Sequence, residues 1–439
     1  MIKQTKLIAT SLILVGITLT SGCVAQKNPA PKTAQSSTLL TYADIATANY
    51  SDTLRDAKTL QNAIAAFAEN PTKTTLENAK TAWLISRESY GESEIFRLSN
   101  GPIDSEDGWV GKAYGTLDPQ VNAWPLDENM IDYTIDANGE KTSGNIIDSA
   151  GEFNPGGEES SAVDVTNVTA DALSALNENG GMANVASGYH AIEFLLWGQD
   201  QDYSNFLKDS VTHGAMTAGQ RPLSDFTRDA NALRRLAYLN AASAKLATDL
   251  SVVCDAWSKD VSAACDVNAT GCYRAALLGE LKGADASKNI DEKEALKTIF
   301  IGMGVFLKSE LANERIAVAV LTPSEEDEQS CFSDNTHRDV VANYQGFKNI
   351  LTGEYKGVGY GVAPIDAMNA DAKTRLSALM SKIETKIDSV NAIAKTSRHF
   401  DYQIQPNDPQ AKVIIKLKNE LRKLGDKMVE VALANGISL

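Results

Sequence analysis

The chain has 439 residues, of which 43% are hydrophobic and 22% charged, and its formal net charge at pH 7 is −16. This composition is typical of a soluble globular protein and excludes a disordered or fibrous chain, and the length allows two or three domains. The negative charge excludes a nucleic-acid-binding surface, because phosphate contacts need clustered Lys and Arg. We therefore expect no nucleic acid among the partners.

The first residues have the pattern of an export signal. A basic start precedes an apolar run over residues 7–19, which is too short to span a membrane as a helix and ends in small residues. We therefore predict a signal peptide over residues 1–22. The letters TSGC that end at Cys23 are similar to a bacterial lipobox, with Thr20 where Leu is usual, and they make Cys23 the predicted lipidation site.

The stretch after this cysteine is predicted to be a flexible tether. Residues 23–38 are rich in Ala, Lys, Pro, Ser and Thr, and such linkers stay extended and mobile. Val24, rather than Asp, after the cysteine favours the outer membrane if the host is Gram-negative. We expect an exported, lipid-anchored protein that faces the periplasm or lies at the cell surface.

Helical periodicity dominates the rest of the chain, and alternating strand patterns are scarce. Thr74 and Glu77 form a capping-box pattern at the start of the second helix. Residues 101–181 lack periodicity apart from one short helix, and long ordered loops of this kind are usually functional. Helices are predicted over residues 42–70, 74–98, 170–177, from 182 through the segment GYHAIEFLLWGQD, and over 224–250, 293–321, 338–351, 367–395 and 409–435.

These elements predict a mainly α fold of two helical-bundle halves, with a long irregular excursion in the first half. The predicted domains are an N-terminal helical domain over residues 39–215 and a C-terminal helical domain over residues 216–439. An internal echo supports two related halves, because residues 185–198 can be laid over residues 340–353 with a Tyr and a Gly coinciding. A match this short also arises by chance between helices, so both interpretations stay open.

His190 and Glu193, within GYHAIEFLLWGQD, are the main candidate site residues. Residues three apart share one face of a helix, so the two side chains can hold one cation, and imidazole with carboxylate suits zinc, iron or manganese. A catalytic zinc needs a third protein ligand, and neither HExxH nor its inverse is present. The alternative is a core histidine that is hydrogen-bonded to a neighbouring carboxylate. In the similar segment over residues 340–353, Gln345 and Lys348 stand at the positions of His190 and Glu193.

A stripe on the second predicted helix supplies candidate partners. The spacing of Trp83, Arg87, Tyr90, Glu94 and Arg97 puts all five on one face. Buried charges need partners, so this face suits a site in which Glu94 is a further metal ligand or base and an arginine neutralises an anionic ligand. The alternative is an exposed Glu94–Arg97 pair on a wet surface.

The second half has one dense polar cluster, residues 331–339. Asn335 and the two residues before it are good N-cap types for a helix that begins near Arg338. Alternatively, this helix N-terminus, with His337 and Arg338, binds an anion or completes a site at the junction of the halves. Four further cysteines allow three disulfide pairings, and Cys265 and Cys272 are near enough for a local loop.

The segment GYHAIEFLLWGQD resembles the GxHxxE signature of the imelysin family, whose members include an insulin-cleaving membrane protease and iron-regulated protein A lipoproteins. AWLISRESYGESEIFR followed by GPID, GQRPLSDF, RRLAYLNAA and SELANERIAVAV agree with it. The resemblance implies two helical halves, with the signature near their junction and facing the stripe. It makes His190 and Glu193 the expected site residues, with Glu94 and Arg97 as neighbours.

The resemblance leaves the function open between three classes. The incomplete zinc signature favours an extracytoplasmic lipoprotein that binds a divalent or ferric ion, iron or zinc, or its chelate, and takes part in iron or metal acquisition. Such a role would call for a transporter partner besides the membrane anchor. The alternatives are a metal-dependent peptidase, in which Glu193 is the catalytic residue, and a surface protein that binds a peptide or polymer without chemistry.

Overall fold

The computed structural model describes residues 33–106, 108–136, 138–200, 215–321, 323 and 327–439. Residues Thr33–Leu439 pack as one compact unit. The predicted signal peptide, Cys23 and most of the predicted tether lie outside the described residues. None of the described helices is both long and apolar enough to cross a membrane.

The described part of the chain is mainly α, as predicted. The helices are Ala34–Glu69 (α1), Lys73–Ser93 (α2), Gly108–Tyr114 (α3), Asp118–Asn122 (α4), Glu128–Ile131 (α5), Ala170–Leu176 (α6), Gly188–Trp197 (α7), Ala232–Ala256 (α8), Cys272–Leu277 (α9), Glu292–Val305 (α10), Val318–Leu321 (α11), Thr336–Thr352 (α12), Ala370–Thr396 (α13), Phe400–Gln403 (α14), Pro409–Asp426 (α15) and Met428–Ala434 (α16). A π-helical segment, Phe306–Ala317, joins α10 to α11.

Strands are confined to two short antiparallel pairs. The first pair, Glu152–Phe153 (β1) and Val163–Asp164 (β2), lies in the predicted excursion. The second pair is Glu354–Tyr355 (β3) and Val358–Gly359 (β4), directly after α12. Neither pair forms a layer of the fold, so the core is made by helix packing.

Helix α2 has a central place in this packing. It packs against α1, α7 and α12, and α1 packs in turn against α8. Two glycines bring α2 and α12 close together: a Cβ on Gly346 would lie 2.2 Å from the carbonyl oxygen of Glu92, and one on Gly91 would lie 2.7 Å from Ala342 Cβ. The stripe residues within α2 therefore face α7 on one side and α12 on the other, whereas Glu94 and Arg97 lie beyond the end of α2, which comes five residues before the predicted end at residue 98.

Several predicted boundaries differ from the structure. Helix α1 begins at Ala34, inside the predicted tether, because the Thr33 side chain caps it by accepting from Ser36 N–H. The capping box of α2 is formed by Thr72 and Thr75, so its prediction at Thr74 and Glu77 was wrong. The helix predicted from residue 182 begins only at Gly188.

The structure confirms part of the predicted excursion, whereas it does not test the predicted division into two domains. Residues 101–181 contain short helices and one strand pair, and the predicted helix near residue 170 is present as α6. The boundary at residue 215 stays a prediction, as does the pseudo-repeat. The two echo helices share one feature, since both α7 and α12 end at a glycine with positive φ, Gly198 (φ 76°) and Gly353 (φ 68°).

Candidate functional site

The His–Glu pair lies fully buried on α7. His190 and Glu193 are each 0% exposed, and His190 Nδ1 lies 3.0 Å from Glu193 Oε2. The glycine of the motif allows this burial: Gly188 has φ +84°, and a Cβ there would lie 2.4 Å from the carbonyl oxygen of Val121. The GxHxxE spacing therefore combines a close approach of α7 to α4 with two polar groups on one face.

The other side of the pair is formed by the segment that leads into α12. The amide nitrogen of Gln329 lies 3.0 Å from His190 Nε2. Ser333 donates its backbone N–H and its hydroxyl to Glu193 Oε1, at 3.0 and 2.6 Å. Every polar atom of the pair therefore has a partner, and two of those partners come from the second half of the chain.

Burial determines the charge of the pair. Burial raises the pKa of Glu193 to about 8, although hydrogen bonds from Ser333 and the nearby Arg87 charge lower it. Burial also lowers the pKa of His190 well below 6.5, and Arg87 adds to this effect. At neutral pH the pair is therefore an uncharged imidazole beside a protonated carboxyl group, and a bound cation would displace that proton.

Arg87 of the stripe links α2 to α12 beneath the pair. Its guanidinium binds Asp339 Oδ1 through Nη2 at 2.9 Å and Nε at 3.1 Å, and both side chains are 1% exposed. It also donates to Asn122 Oδ1 at 2.5 Å. Its stripe neighbour Tyr90 packs its ring against Tyr189, with centroids 4.9 Å apart. These contacts hold the helices that carry the pair.

Glu94 belongs to a neighbouring network. Its Oε1 accepts from Asn122 Nδ2 at 2.8 Å and from Arg315 Nη2 at 3.1 Å, and its Oε2 accepts from Asn343. Burial alone would raise the pKa of Glu94, but Arg315, Arg87 and Arg97 outweigh it and lower the pKa. Glu94 is thus an ionised partner of arginines.

The structure does not bring Glu94 together with the pair as a third ligand. Among the residues that the structure describes, no three His, Cys, Asp or Glu side chains form a group that could hold a metal ion. The ligand set of His190, Glu193 and Glu94 stays a prediction.

Arg97 lies at the edge of a cleft rather than on an open surface. It pairs with Asp118 at 2.7 Å and Glu310 at 3.2 Å, and its side chain is 14% exposed. Its distance to Glu94 is 3.9 Å, so the sequence-based alternative of an isolated Glu94–Arg97 pair describes only the weakest of its contacts. Arg97 instead connects the excursion to the π-helical segment.

The three candidate residues of the second half have other partners. Arg338 forms a two-pronged pair with Glu88, with both distances at 2.8 Å. His337 Nδ1 lies 3.0 Å from the carbonyl oxygen of Asp334, and burial lowers its pKa to about 4. Asn335 stands at the N-cap position of α12, but its side chain makes no capping hydrogen bond. Their role as binding-site neighbours stays a prediction.

A cleft of about 330 Å³ reaches toward the buried pair. Trp124 and Gln329 line its floor, and the Trp124 ring packs on His190 with centroids 4.9 Å apart. These two side chains therefore separate His190 from the cleft. The charged residues that line the cleft are Arg97, Asp118, Glu178, Glu310, Glu314, Arg315 and Asp327.

Several residues of this site were not found by sequence reasoning. Asn122 and Trp124 come from the excursion, Arg315 from the π-helical segment and Gln329 from the second half, whereas Asp339 lay in the predicted polar cluster of residues 331–339 but was given no role. Each is an ordinary polar or aromatic residue, and none stands at a regular sequence interval from His190 that would place it on the same helix face. The segment SELANERIAVAV, which contains Arg315, resembles the family, but this resemblance assigned no role to Arg315.

A second buried acidic group lies next to Ser333. Glu328, Asp334 and Asp401 are at most 7% exposed, and Asp334 is also paired with His399. Burial raises the pKa of all three, that of Asp334 to about 8, and the charge of Asp334 raises the pKa of the other two further. The folded protein therefore holds protons on this group that the unfolded chain has lost at neutral pH.

We expect the free energy of unfolding to fall as pH rises from 6.5 to 8. The protons that these carboxyl groups bind in the folded protein stabilise it, and this stabilisation is lost as pH approaches their raised pKa values. Asp334→Asn should make this decline shallower by up to about 1.4 kcal/mol per pH unit. Urea unfolding at several pH values measures it. Asp164→Asn is the control, since this exposed carboxylate has its pKa lowered by Thr166. Parallel slopes for wild type and Asp334→Asn would contradict the expectation.

Fold and site together define a mainly α protein in which a buried His–Glu pair lies beneath a charged cleft, held by residues from both halves of the chain. The imelysin family model matches residues 46–428, and the chain belongs to the imelysin family.

Among solved structures, the chain is similar to a protein from Parabacteroides distasonis that is named as an iron-regulated protein A precursor. The sequence identity is 18% and the TM-score 0.55, and the match covers 91% of this chain and 97% of that one. This likeness shows a shared fold. A comparison with curated proteins finds no match.

Proposed function

We propose that this chain is an exported, lipid-anchored member of the imelysin family that binds a metal ion at His190 and Glu193 and takes part in iron or other metal acquisition. The observation that carries the proposal is the buried, uncharged His–Glu pair, which Trp124 and Gln329 separate from an acid-rich cleft. The ion is the cargo of the protein in this proposal.

The chemistry of the donor set supports a transition-metal ion. An imidazole nitrogen and a carboxylate oxygen suit iron, zinc or manganese, and both become better ligands once the shared proton has left. Carboxylates outnumber guanidiniums in the cleft, with Asp118, Glu310 and Asp327 among them, so the approach to the pair favours cations. Gln329 and Trp124 would have to move aside for the ion to reach His190.

The link to iron rests on similarity. A solved structure with the same fold is named as an iron-regulated protein A precursor, and the predicted lipobox at Cys23 supports a place outside the cytoplasm. A role in uptake would call for a membrane transporter that receives the ion or its chelate. Measuring expression under iron starvation tests the iron link without identifying the ligand.

The alternative of a metal-dependent peptidase has less support from the geometry. A hydrolytic zinc uses three protein ligands and an open position for water, whereas His190 and Glu193 are two ligands with 0% exposure. Peptide hydrolysis that is abolished by a chelator and by Glu193→Gln would favour the peptidase instead.

Metal binding by matched histidine variants tests the proposal. We expect the full-length protein to bind iron, zinc or manganese, and His190→Ala to weaken binding by at least about a hundredfold, because a direct ligand matters at least as much as the groups that orient one. Metal analysis after dialysis and calorimetric titration measure it. His399→Ala is the matched control, because this histidine pairs with Asp334 and is not a predicted ligand, and it should bind as wild type does. The proposal fails if wild type binds none of the three ions or if His190→Ala binds equally well.

A further inference from the structure

Four aliphatic side chains are exposed on two neighbouring helices, α10 and α16. Ile301 and Val305 of α10 are 42% and 40% exposed, and Val429 and Leu433 of α16 are 48% and 58% exposed. The two residues of each helix are four apart in sequence, so each pair lies on one face of its helix. We call these four residues the apolar face.

The beginning of α1 lies at one end of this helix pair. The Thr33 hydroxyl donates to Glu292 Oε1 at 2.8 Å, at the start of α10. Gln35 Nε2 donates to the carbonyl oxygen of Asn435 at 3.3 Å, directly after the end of α16. The two helices therefore run antiparallel, and the first described residue of the chain stands beside them.

The four side chains of the apolar face lie on the same side of the two helices. Helices α10 and α16 pack against each other, and a Cβ on Gly304 would lie 3.5 Å from Met428 Cβ. Val305 and Val429 each come one residue after this contact, and each residue turns a helix by about 100°. In antiparallel helices these equal rotations point to the same side. The apolar face is therefore one continuous strip, whereas ordinary exposed aliphatic residues are scattered singly.

The predicted lipid anchor is close enough to bring this strip to a membrane. Cys23 precedes Thr33 by ten residues, and a chain of that length spans at most about 36 Å. Helix α1 is longer than this reach, because its 36 residues extend about 54 Å. An acylated Cys23 would therefore keep the end of α1 that adjoins the apolar face near the bilayer.

The charge of this region suits an uncharged surface. Residues 292–308 contain two acidic side chains and three lysines, and residues 426–434 contain two acidic side chains and one lysine. The sum is zero, although the whole chain has a net charge of −16. Lys308 pairs with Asp426, and Lys427 pairs with Glu430, at the edge of the strip. A strongly basic or acidic partner gains little attraction here, whereas zwitterionic headgroups meet no repulsion.

We propose that the apolar face docks on the surface of a lipid bilayer with zwitterionic headgroups and so fixes the orientation of the anchored protein. Four aliphatic side chains bind a bilayer only weakly by themselves. The anchor makes their contact with the bilayer intramolecular, at a high effective concentration. The inference rests on the lipid anchor of the proposed function and is independent of metal binding at His190 and Glu193.

Fluorescence quenching in vesicles tests this docking. Full-length protein, purified with its lipid, is reconstituted into vesicles of phosphatidylethanolamine and phosphatidylcholine that carry nitroxide-labelled headgroups. A bimane fluorophore is attached at Leu433→Cys in a Cys254→Ser background. Cys265 and Cys272 are joined in a disulfide, so the buried Cys331 is the other free thiol among the described residues.

Leu233→Cys is the matched control position. Leu233 is 83% exposed in the first turn of α8, and Phe226, just before α8, packs against Phe67 near the far end of α1. We expect at least about twofold stronger quenching at Leu433→Cys than at Leu233→Cys, because a docked apolar face lies about 5–10 Å into the headgroup region. Adding Val305→Glu should abolish this difference, and adding Leu233→Glu should not.

Flotation of the vesicles separates failure of the docking from failure of the anchor. The docking alone is overturned if the protein floats but bimane is quenched equally at the two positions, or if Val305→Glu has no effect. Protection of the Leu433→Cys bimane from aqueous iodide that grows with protein density, without nitroxide quenching, means that a second copy covers the face and also overturns the docking. Protein that stays behind in solution overturns the lipid anchor and the docking together.

Discussion

Arg87→Ala is expected to lower the free energy of unfolding by about 3–5 kcal/mol. The Arg87 side chain is 1% exposed and is the ion-pair partner of Asp339, which is equally buried. Its removal leaves the Asp339 charge without compensation and also frees Asn122 from the hydrogen bond that connects it to α2. Urea unfolding at pH 7, followed by circular dichroism, measures the change.

Two further variants show whether the uncompensated Asp339 charge causes the loss of stability in Arg87→Ala. Arg55→Ala is the control on α1, because the Arg55 side chain is 60% exposed and pairs with Asp52 and Asp56; its effect should stay within about 1 kcal/mol. Adding Asp339→Asn to Arg87→Ala should restore part of the lost stability, since it removes the uncompensated charge. An Arg87→Ala variant as stable as Arg55→Ala would disprove this account of the link between α2 and α12.

Gly188→Ala is expected to destabilise the protein by about 2–5 kcal/mol, the sum of a left-handed backbone penalty and overpacking. Gly188 has φ +84°, and its new Cβ would lie 2.4 Å from the carbonyl oxygen of Val121. The clash pushes α7 away from α4, so it also displaces His190 from Trp124. Thermal and urea unfolding measure stability, and the metal titration measures the effect on the proposed site.

Gly139→Ala separates the two causes. Gly139 has φ +81°, nearly the same as Gly188, but no atom lies within 4 Å of the position of its new Cβ. Only the backbone penalty of about 1–2 kcal/mol should apply there. Equal losses at both glycines would show that the contact with Val121 contributes nothing, and that the motif glycine serves backbone conformation alone.

Much of α7 could be predicted from the sequence, and the environment of its polar pair could not. The three-residue spacing of His190 and Glu193 predicts a shared helix face, and the structure has them 3.0 Å apart. Whether that face is wet, metal-bound or buried depends on what packs against it. Gln329 and Ser333 are 139 and 140 residues away from their partners along the chain, and no periodicity encodes so distant a contact.

The stripe that begins on α2 shows that sequence spacing predicts which residues share a face but not which residues they contact. Its spacing predicts one face with charges and aromatic rings, and the structure confirms that Arg87, Tyr90 and Glu94 are buried. Spacing cannot say which acid each arginine meets. Arg87 binds Asp339 and Glu94 binds Arg315, because α12 and the π-helical segment approach α2 from the second half. The π-helical segment itself departs from the 3.6-residue period on which the helix prediction rests.

By itself, the sequence determined the mainly α class, most of the long helices and the pair that marks the family, because helix periodicity and motif spacing are local properties of the chain. Only the tertiary structure decided that the pair is buried and uncharged, that Glu94 is held by arginines, and that Trp124 and Gln329 close the floor of the cleft. These outcomes depend on desolvation and on charges brought together from distant segments, and both exist only once α2, α7 and α12 have packed.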